Sequence, residues 1–416
     1  MKTFHLLLFL IPVSILGQGW ERTYGHGGGY SVEQISENGY IVFCNSYDQN
    51  IYIIKTDNNG DTLWTNTFGE TEHYYGTSGI QTINGGYVTT GWTDPDISLP
   101  DVLLIKTDIS GNLLWTRTYG GDKMDVGSSV QQTFDNGFII TGKTRSEFDN
   151  FDIYLIKTDS TGNTLWSRTY GGDTDDYGAS VLQTTDGGYI ITGTSVIYQT
   201  GYSCLFLQKT DINGEPEWNK TFGDYDGDGG GSVQQTTDGG YIITGYTKLT
   251  DDSQDVLLIK TDSNGDSLWT KKYGKDNNEG GVSVQQTTDE GYIITGYTEM
   301  SDGIRDVYLI KTDSNGDTLW SKTYGGTNHD SGTSVRQTAD GGYIITGVYD
   351  EDFIVLIKTD ENGIITSLIE TQIPNPNRKL VKIVDLLGRE ITKTKNSIPF
   401  IEIYDDGTSQ KKMKIK

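Results

Sequence analysis

Ser232-Val-Gln-Gln-Thr236, Tyr241-Ile-Ile-Thr-Gly-Tyr-Thr247, Asp255-Val-Leu-Leu-Ile-Lys-Thr261 and Leu268-Trp-Thr-Lys-Lys-Tyr273 are four short β-type runs in succession. Asp238-Gly-Gly240 separates the first two and Asp262-Ser-Asn-Gly-Asp266 the last two, both tight-turn sequences with Gly for the positive-φ position. The second and third runs are apolar on consecutive residues, so both of their faces must be covered. The same set recurs along the chain. Lys-Thr-Asp begins at Lys55, Lys106, Lys157, Lys209, Lys260, Lys311 and Lys358, in steps of 51, 51, 52, 51, 51 and 47 residues. A fixed period near 50 with several strands per unit marks an array whose units bury their faces only against neighbours. Four antiparallel strands repeated seven times predict an all-β fold over residues 19–370, a seven-bladed β-propeller of four-stranded blades whose closure removes exposed sheet edges. Trp20-Glu-Arg-Thr-Tyr24 is an isolated fourth strand, expected to complete the last blade and join the two ends. The Ile364–Leu368 segment competes for that slot.

Three residue types hold fixed places in the repeat. Trp20, Trp64, Trp115, Trp166, Trp218, Trp269 and Trp320 share one register and are expected to pack between adjacent blades as structural residues. Gln34, Gln81, Gln132, Gln183, Gln235, Gln286 and Gln337 fall on the first strand, where they either line a central channel or hydrogen-bond neighbouring strands. Cys44 and Cys204, the only cysteines, fall in the first and fourth units, too far apart on a ring for a disulfide, and read as small buried residues.

The two ends differ from the repeats. Residues 1–18 combine a basic residue, an apolar stretch of about eleven residues and a small residue before Gln18, the pattern of a secretory signal peptide. No later segment approaches the length of a transmembrane helix. From Pro374 to Lys416 there are ten Lys/Arg against five Asp/Glu, whereas the rest carries 22 against 52, within an overall charge of −25. An acidic body of this kind repels phosphate backbones, which argues against nucleic acid as a partner. The charge switch at Pro374 sets off a small β-rich module, residues 371–416.

Trp166-Ser-Arg-Thr-Tyr-Gly-Gly-Asp173, Gly187-Gly-Tyr-Ile-Ile-Thr-Gly193 and Leu155-Ile-Lys-Thr-Asp159 resemble the bacterial seven-bladed β-propeller repeat family. That likeness implies a fold and little about activity, because propellers host many unrelated functions. The Asp159–Trp166 hairpin is also similar to the tryptophan-docking motif of quinoprotein dehydrogenase propellers, with an Asp-to-Gly spacing one residue shorter and no adjacent Cys pair. In the tail, Pro374-Asn-Pro376, Val381-Lys-Ile-Val-Asp-Leu-Leu-Gly-Arg-Glu390 and Phe400-Ile-Glu-Ile-Tyr-Asp-Asp-Gly-Thr408 resemble the type A C-terminal sorting domain of the type IX secretion system of Bacteroidetes. This resemblance implies that residues 374–416 engage the secretion machinery, and that the protein reaches the cell surface or the medium.

In a four-strand meander, two kinds of connection emerge on each side. One side repeats near-identical Asp-Gly-Gly and Asp-Ser-Asn-Gly turns and reads as scaffold. The other carries loops that differ, among them Trp92–Asp101, Lys143–Asp152 and Thr194–Ser203, and differing loops on a fixed frame are where binding usually resides. Trp92, the one Trp outside the repeat register, with Phe148, Phe151, Tyr198 and Tyr202 forms a candidate aromatic platform for sugar rings. Asp224-Tyr-Asp226-Gly-Asp228-Gly229 matches the opening of a calcium loop, although Gln235 stands where the closing acid belongs. Asp125, Asp176, Glu279 and Asp330 share the register of Asp228, which points to a turn-capping role for it. His26, His73 and His329 lie on separate units, and no nucleophile elbow, zinc spacing or phosphate loop appears. The expectation is an exported, non-catalytic propeller with no resident cofactor, binding a glycan or an envelope protein. The runners-up are a polysaccharide hydrolase or lyase and a quinoprotein-like oxidoreductase.

Overall fold

The structure, a computed structural model, describes residues 19–365 except 37–38, 70–72, 94–98, 198–200, 224–226, 250–252, 275–276 and 351, and in the tail 379–384, 391, 399–404 and 409–413. The signal-peptide segment lies outside the described residues. The chain forms two compact units, Met1–Thr366 and Ser367–Lys416.

In the first unit every described element is a β-strand, and the strands group into repeated antiparallel sheets of four. The fifth repeat forms Gly229–Gln235, Tyr241–Lys248, Gln254–Thr261 and Ser267–Tyr273, paired in that order. The second and third strands of each sheet are buried almost throughout, as their continuous apolar character requires. The outermost strand alternates exposed and half-buried positions, since only one face meets a neighbouring sheet. Seven such sets fit the chain, an arrangement consistent with a seven-bladed β-propeller.

The first strand, Trp20–Gln34, is shared between two sheets. Its first part, Trp20 to His26, pairs with Phe353–Thr359 as the fourth strand of the last set. Its second part, Gly27 to Gln34, pairs with Tyr40–Ser46 as the first strand of the first set. A register shift near Gly29 and another between Tyr24 and His26 turn the chain from one sheet into the next.

Indole packing joins the sheets. Trp20, Trp64, Trp115, Trp166, Trp218, Trp269 and Trp320 each approach the aromatic ring that opens the second strand of the following sheet, with centroids 5.7 to 6.2 Å apart. Those partners, Tyr40, Tyr87, Phe138, Tyr189, Tyr241, Tyr292 and Tyr343, are fully buried, whereas the indoles are half-buried. Above each indole runs the hairpin glycine of that next sheet. Gly162, for example, has φ +81, and a Cβ there would sit 3.0 Å from Trp115. Only glycine serves both the turn and the close approach.

Glutamine carries a second joint. The Oε1 of Gln132, Gln183, Gln235, Gln286 and Gln337 accepts a backbone N–H from the preceding sheet at 2.7 to 2.9 Å, and Gln34 accepts Ala339 N–H at 2.8 Å. Both roles the sequence leaves open are seen, since these glutamines are bonded between sheets and Gln132, Gln183 and Gln235 also line the cavity between the first strands. The Gln34 bond links the last set to the first by the same contact that links the others. First strands of all seven sets line one cavity of about 800 Å³ that includes Ser78, Gln131, Gln234, Glu33 and Arg336.

A third repeated feature is ionic. Lys157, Lys209, Lys260, Lys311 and Lys358 are buried and pair at 2.8 to 3.0 Å with Asp135, Asp186, Asp238, Asp289 and Asp340 of their own sheet's first turn. Burial alone would raise these carboxyl groups, but bonds from the lysine, a threonine hydroxyl and a glycine N–H hold them below the ordinary carboxylate range, Asp238 at about 2. In the second sheet Asn84 replaces the aspartate. Lys106 there donates to Thr82 Oγ1 at 2.7 Å, and burial lowers its ammonium to about 8.

Cys44 and Cys204 are both free and buried. In the second unit Leu380–Val384, Pro399–Tyr404 and Ser409–Met413 form a three-stranded antiparallel sheet. Among the described residues no helix is long and apolar enough to cross a membrane.

Candidate binding face

Each second strand passes its glycine and then presents one residue near its end, and this register position is where the sheets cease to be alike. Pairing aligns Trp92, Lys143, Thr194, Tyr246, Tyr297 and Val348, each opposite the start of its sheet's first strand. The residues before it are Ile, Val or Thr and glycine in nearly every copy. Uniform packing on one side and free choice at the next position is the pattern expected where a rigid frame ends and a binding surface begins.

Trp92 lies flat against its cross-strand neighbour Tyr75, with centroids 5.1 Å apart and planes inclined by 14°. Two sheets meet around Phe151, whose ring centroid is 5.8 Å from that of Tyr177 in the next sheet. Lys143 Nζ sits 4.5 Å from the Phe151 ring centre and 5.0 Å from that of Tyr177, and the Arg145 guanidinium lies 5.5 Å from Phe151. Asp175 fixes this corner by accepting Phe151 N–H at 2.8 Å. Burial lowers the Lys143 ammonium, with Asp175 opposing. Burial and then Asp175 push the Tyr177 phenol up to about 12, so it remains a neutral hydroxyl at physiological pH. In the sixth sheet the Arg305 guanidinium lies 4.4 Å from the Tyr297 ring centre.

Two clefts open at equivalent junctions. One, of about 460 Å³, is lined by Lys123, Arg145, Glu147, Phe148, Asp152 and Asp173 among others. The other, of about 490 Å³, is lined by Glu299, Arg305, His329, Asp330 and Val348 among others. Phe148 is 81% exposed at the rim of the first, and a loop salt bridge from Arg145 to Asp149 at 2.7 Å stiffens that rim.

The expected platform is therefore distributed. Phe148 and Phe151 bracket one loop. Trp92 belongs to the sheet before and stacks on Tyr75, while Tyr202 stands half exposed in the sheet after. Tyr198 lies outside the described residues. Among the described residues the ring contacts of Trp92 and Phe151 run to Tyr75 and Tyr177, not to each other. Tyr75, Tyr177, Lys143 and Arg145 are contributors that sequence reading did not single out. Aligning the seven copies on the Thr-Gly step and asking which column varies would have found Lys143.

Of the calcium candidate, Asp224 and Asp226 lie outside the described residues. Asp228 is buried and accepts Lys248 N–H at 3.2 Å, and its register mates Asp125 and Asp330 accept Gly121 and Gly326 N–H at 3.1 and 2.9 Å. This register position thus caps backbone at the sheet junctions. Among the described residues no group of three or more His, Cys, Asp or Glu is placed to hold a metal ion.

No protein-family model and no curated protein matches the chain. Solved structures do resemble it. A chain in the crystal structure of a mitotic checkpoint complex superposes with a TM-score of 0.55 at 12% identity, over 86% of this chain and 100% of that one. A lectin from Burkholderia pseudomallei gives 0.48 at 8% identity, over 82% and 98%, and a protein of unknown function from Dyadobacter fermentans gives 0.46 at 11%, over 69% and 95%. The mitotic checkpoint neighbour is a β-propeller-like fold, and at 12% identity the likeness concerns the fold alone.

Proposed function

We propose that this chain is a closed seven-bladed propeller that works outside the cell as a non-catalytic binding protein, and that its ligand is a glycan held on the variable side. The reading rests on one observation: the sheets are nearly identical up to the glycine of the second strand and then present Trp92, Lys143, Tyr246 and Tyr297 at one shared register. Flat aromatic faces flanked by cationic and carboxylate groups suit sugars, whose C–H faces stack on rings while their hydroxyls take hydrogen bonds at the edge. The leader-like residues 1–18 and the tail 374–416 support export through a type IX route, with the propeller delivered to the outer surface or the medium.

The test is a glycan array probed with the mature chain, beside Trp92→Ala and Tyr297→Ala variants of matched melting temperature. Binding to a defined glycan class that falls at least tenfold in either variant supports the reading. Binding indifferent to both substitutions, or turnover of a polysaccharide by the purified chain, overturns it.

A further inference from the structure

Away from the variable register, carboxyl groups meet in pairs at the junctions between sheets. The first member lies five residues before the repeated lysine, at Asp101, Asp152, Asp255 and Asp306. The second opens or precedes the first strand of the following sheet, at Asp125, Asp176, Glu279 and Asp330. Between them runs a glycine of the connecting turn: Gly120, Gly171, Gly274 or Gly325. A Cβ built on any of these would run into an oxygen of both acids, so the two carboxyl groups converge on one point.

The second members Asp125 and Asp330 are provided with donors. Asp125 accepts Gly121 N–H at 3.1 Å, and Asp330 accepts Gly326 N–H at 2.9 Å and Asp350 N–H at 2.7 Å. Two of the first members, Asp101 and Asp306, are not. Asp101 Oδ1 and Asp306 Oδ1 are shut off from water and accept no hydrogen bond. The same oxygen is thus orphaned at the same register in two separate sheets, each time beside another carboxyl oxygen. Two ionised carboxylates at that spacing repel, and a buried acceptor without a donor is costly. A single proton removes both faults.

We infer that Asp101–Asp125 and Asp306–Asp330 each hold one shared proton as an acid–carboxylate hydrogen bond between neighbouring sheets, which makes the loop side of the ring tighter in mild acid than in mild alkali. Asp152–Asp176 converges on Gly171 likewise, but there Asp152 Oδ1 accepts Asn150 Nδ2–H at 3.3 Å, so that pair already has a donor. The groups facing Asp101–Asp125 are the Thr144 hydroxyl, the Gly121 N–H and the Tyr154 phenol. Around Asp306–Asp330 they are Asp302, Asp350, Glu21 and Tyr349, with His329 on the opposing side. Burial and then the partner acid raise Asp101, and burial and then Asp330 raise Asp306. Burial also raises Asp125 and Asp330 against the bonds they accept. A carboxyl raised in the folded state means that folding takes up protons. The stabilisation is therefore complete below the ordinary carboxylate range and is lost as pH climbs through the raised values.

The experiment compares melting temperatures of the full chain and of the Asp101→Asn/Asp306→Asn variant from about pH 5 to about pH 8, with chelator and with added calcium. The amide of asparagine supplies the donor permanently. The expected result is a wild-type melting temperature that declines across this range and a variant in which the decline is largely abolished. In the wild-type chain, carbon-labelled aspartate spectra should show carboxyl groups still titrating above the usual range, a readout independent of how the variant folds. Equal slopes in both chains overturn the inference, as do normal titration of every carboxyl group or a calcium-restored wild-type melting temperature at the alkaline end. That last result would mean a cation between the pair rather than a proton.

Discussion

Trp20→Ala tests the joint between the ends of the chain and the packing of every indole at once. Trp20 belongs by hydrogen bonding to the last sheet, beside Lys358, yet its ring packs on Tyr40 of the first sheet at 5.7 Å. Its Nε1–H donates to Asn58 O at 3.0 Å, and Gly60 lies directly over the ring. Full burial of an indole corresponds to about 3–5 kcal/mol on truncation to alanine. Trp20 is half-buried, so roughly half of that applies, about 2 kcal/mol; the edge-on aromatic pair adds about 0.5–1 kcal/mol and the hydrogen bond about 1 kcal/mol. The expected loss is about 3.5–4 kcal/mol, or a shift of the folded-to-unfolded ratio by more than a hundredfold. Trp269→Ala, which removes the equivalent contact to Tyr292 at 5.8 Å between two interior sheets, serves as the internal standard. Both are measured by urea unfolding followed by circular dichroism, which does not depend on the fluorophore removed. If the ends are joined as the other sheets are, the two variants lose similar stability and unfold in one transition. A Trp20→Ala loss below about 1 kcal/mol, with a normal loss for Trp269→Ala, would refute the closure argument.

Asn84→Asp restores the ion pair present in five other sheets and should stabilise the chain by about 0.5–1 kcal/mol at neutral pH. Because Lys106 is lowered to about 8, the unfolded wild-type chain holds more protons above that pH, so its stability should rise from there towards the ordinary lysine value, and the variant should lack that rise in a denaturation series. Gln183→Ala removes the acceptor for Phe134 N–H and should cost about 1–2 kcal/mol in chemical denaturation, with no effect on glycan binding. Gly162→Ala places a Cβ against Trp115 at φ +81 and should cost at least about 1–2 kcal/mol, more than alanine at Gly172, where nothing lies within 4 Å.

The repeat by itself determined the strand count per unit, the turn positions and the burial of the middle strands. Each is set by contacts within some fifty residues, or by covering both faces of a continuous apolar run. Trp20-Glu-Arg-Thr-Tyr24 was legible as a displaced fourth strand because its pattern stands without the three strands that should precede it. The residue types of the candidate face were legible only in part. Trp92 stood out as a tryptophan out of register, but Tyr75 and Tyr177 look like ordinary strand aromatics until pairing and neighbouring sheets bring them against Trp92 and Phe151. The carboxyl pairs were hidden for the same reason. Asp101 reads as the end of a loop and Asp125 as a turn cap, and their meeting over Gly120 depends on one sheet lying against the next. Local sequence specifies a strand and its faces, whereas only tertiary packing decides which side chains from adjacent sheets share a dry space, and it is there that charge, protonation and binding are set.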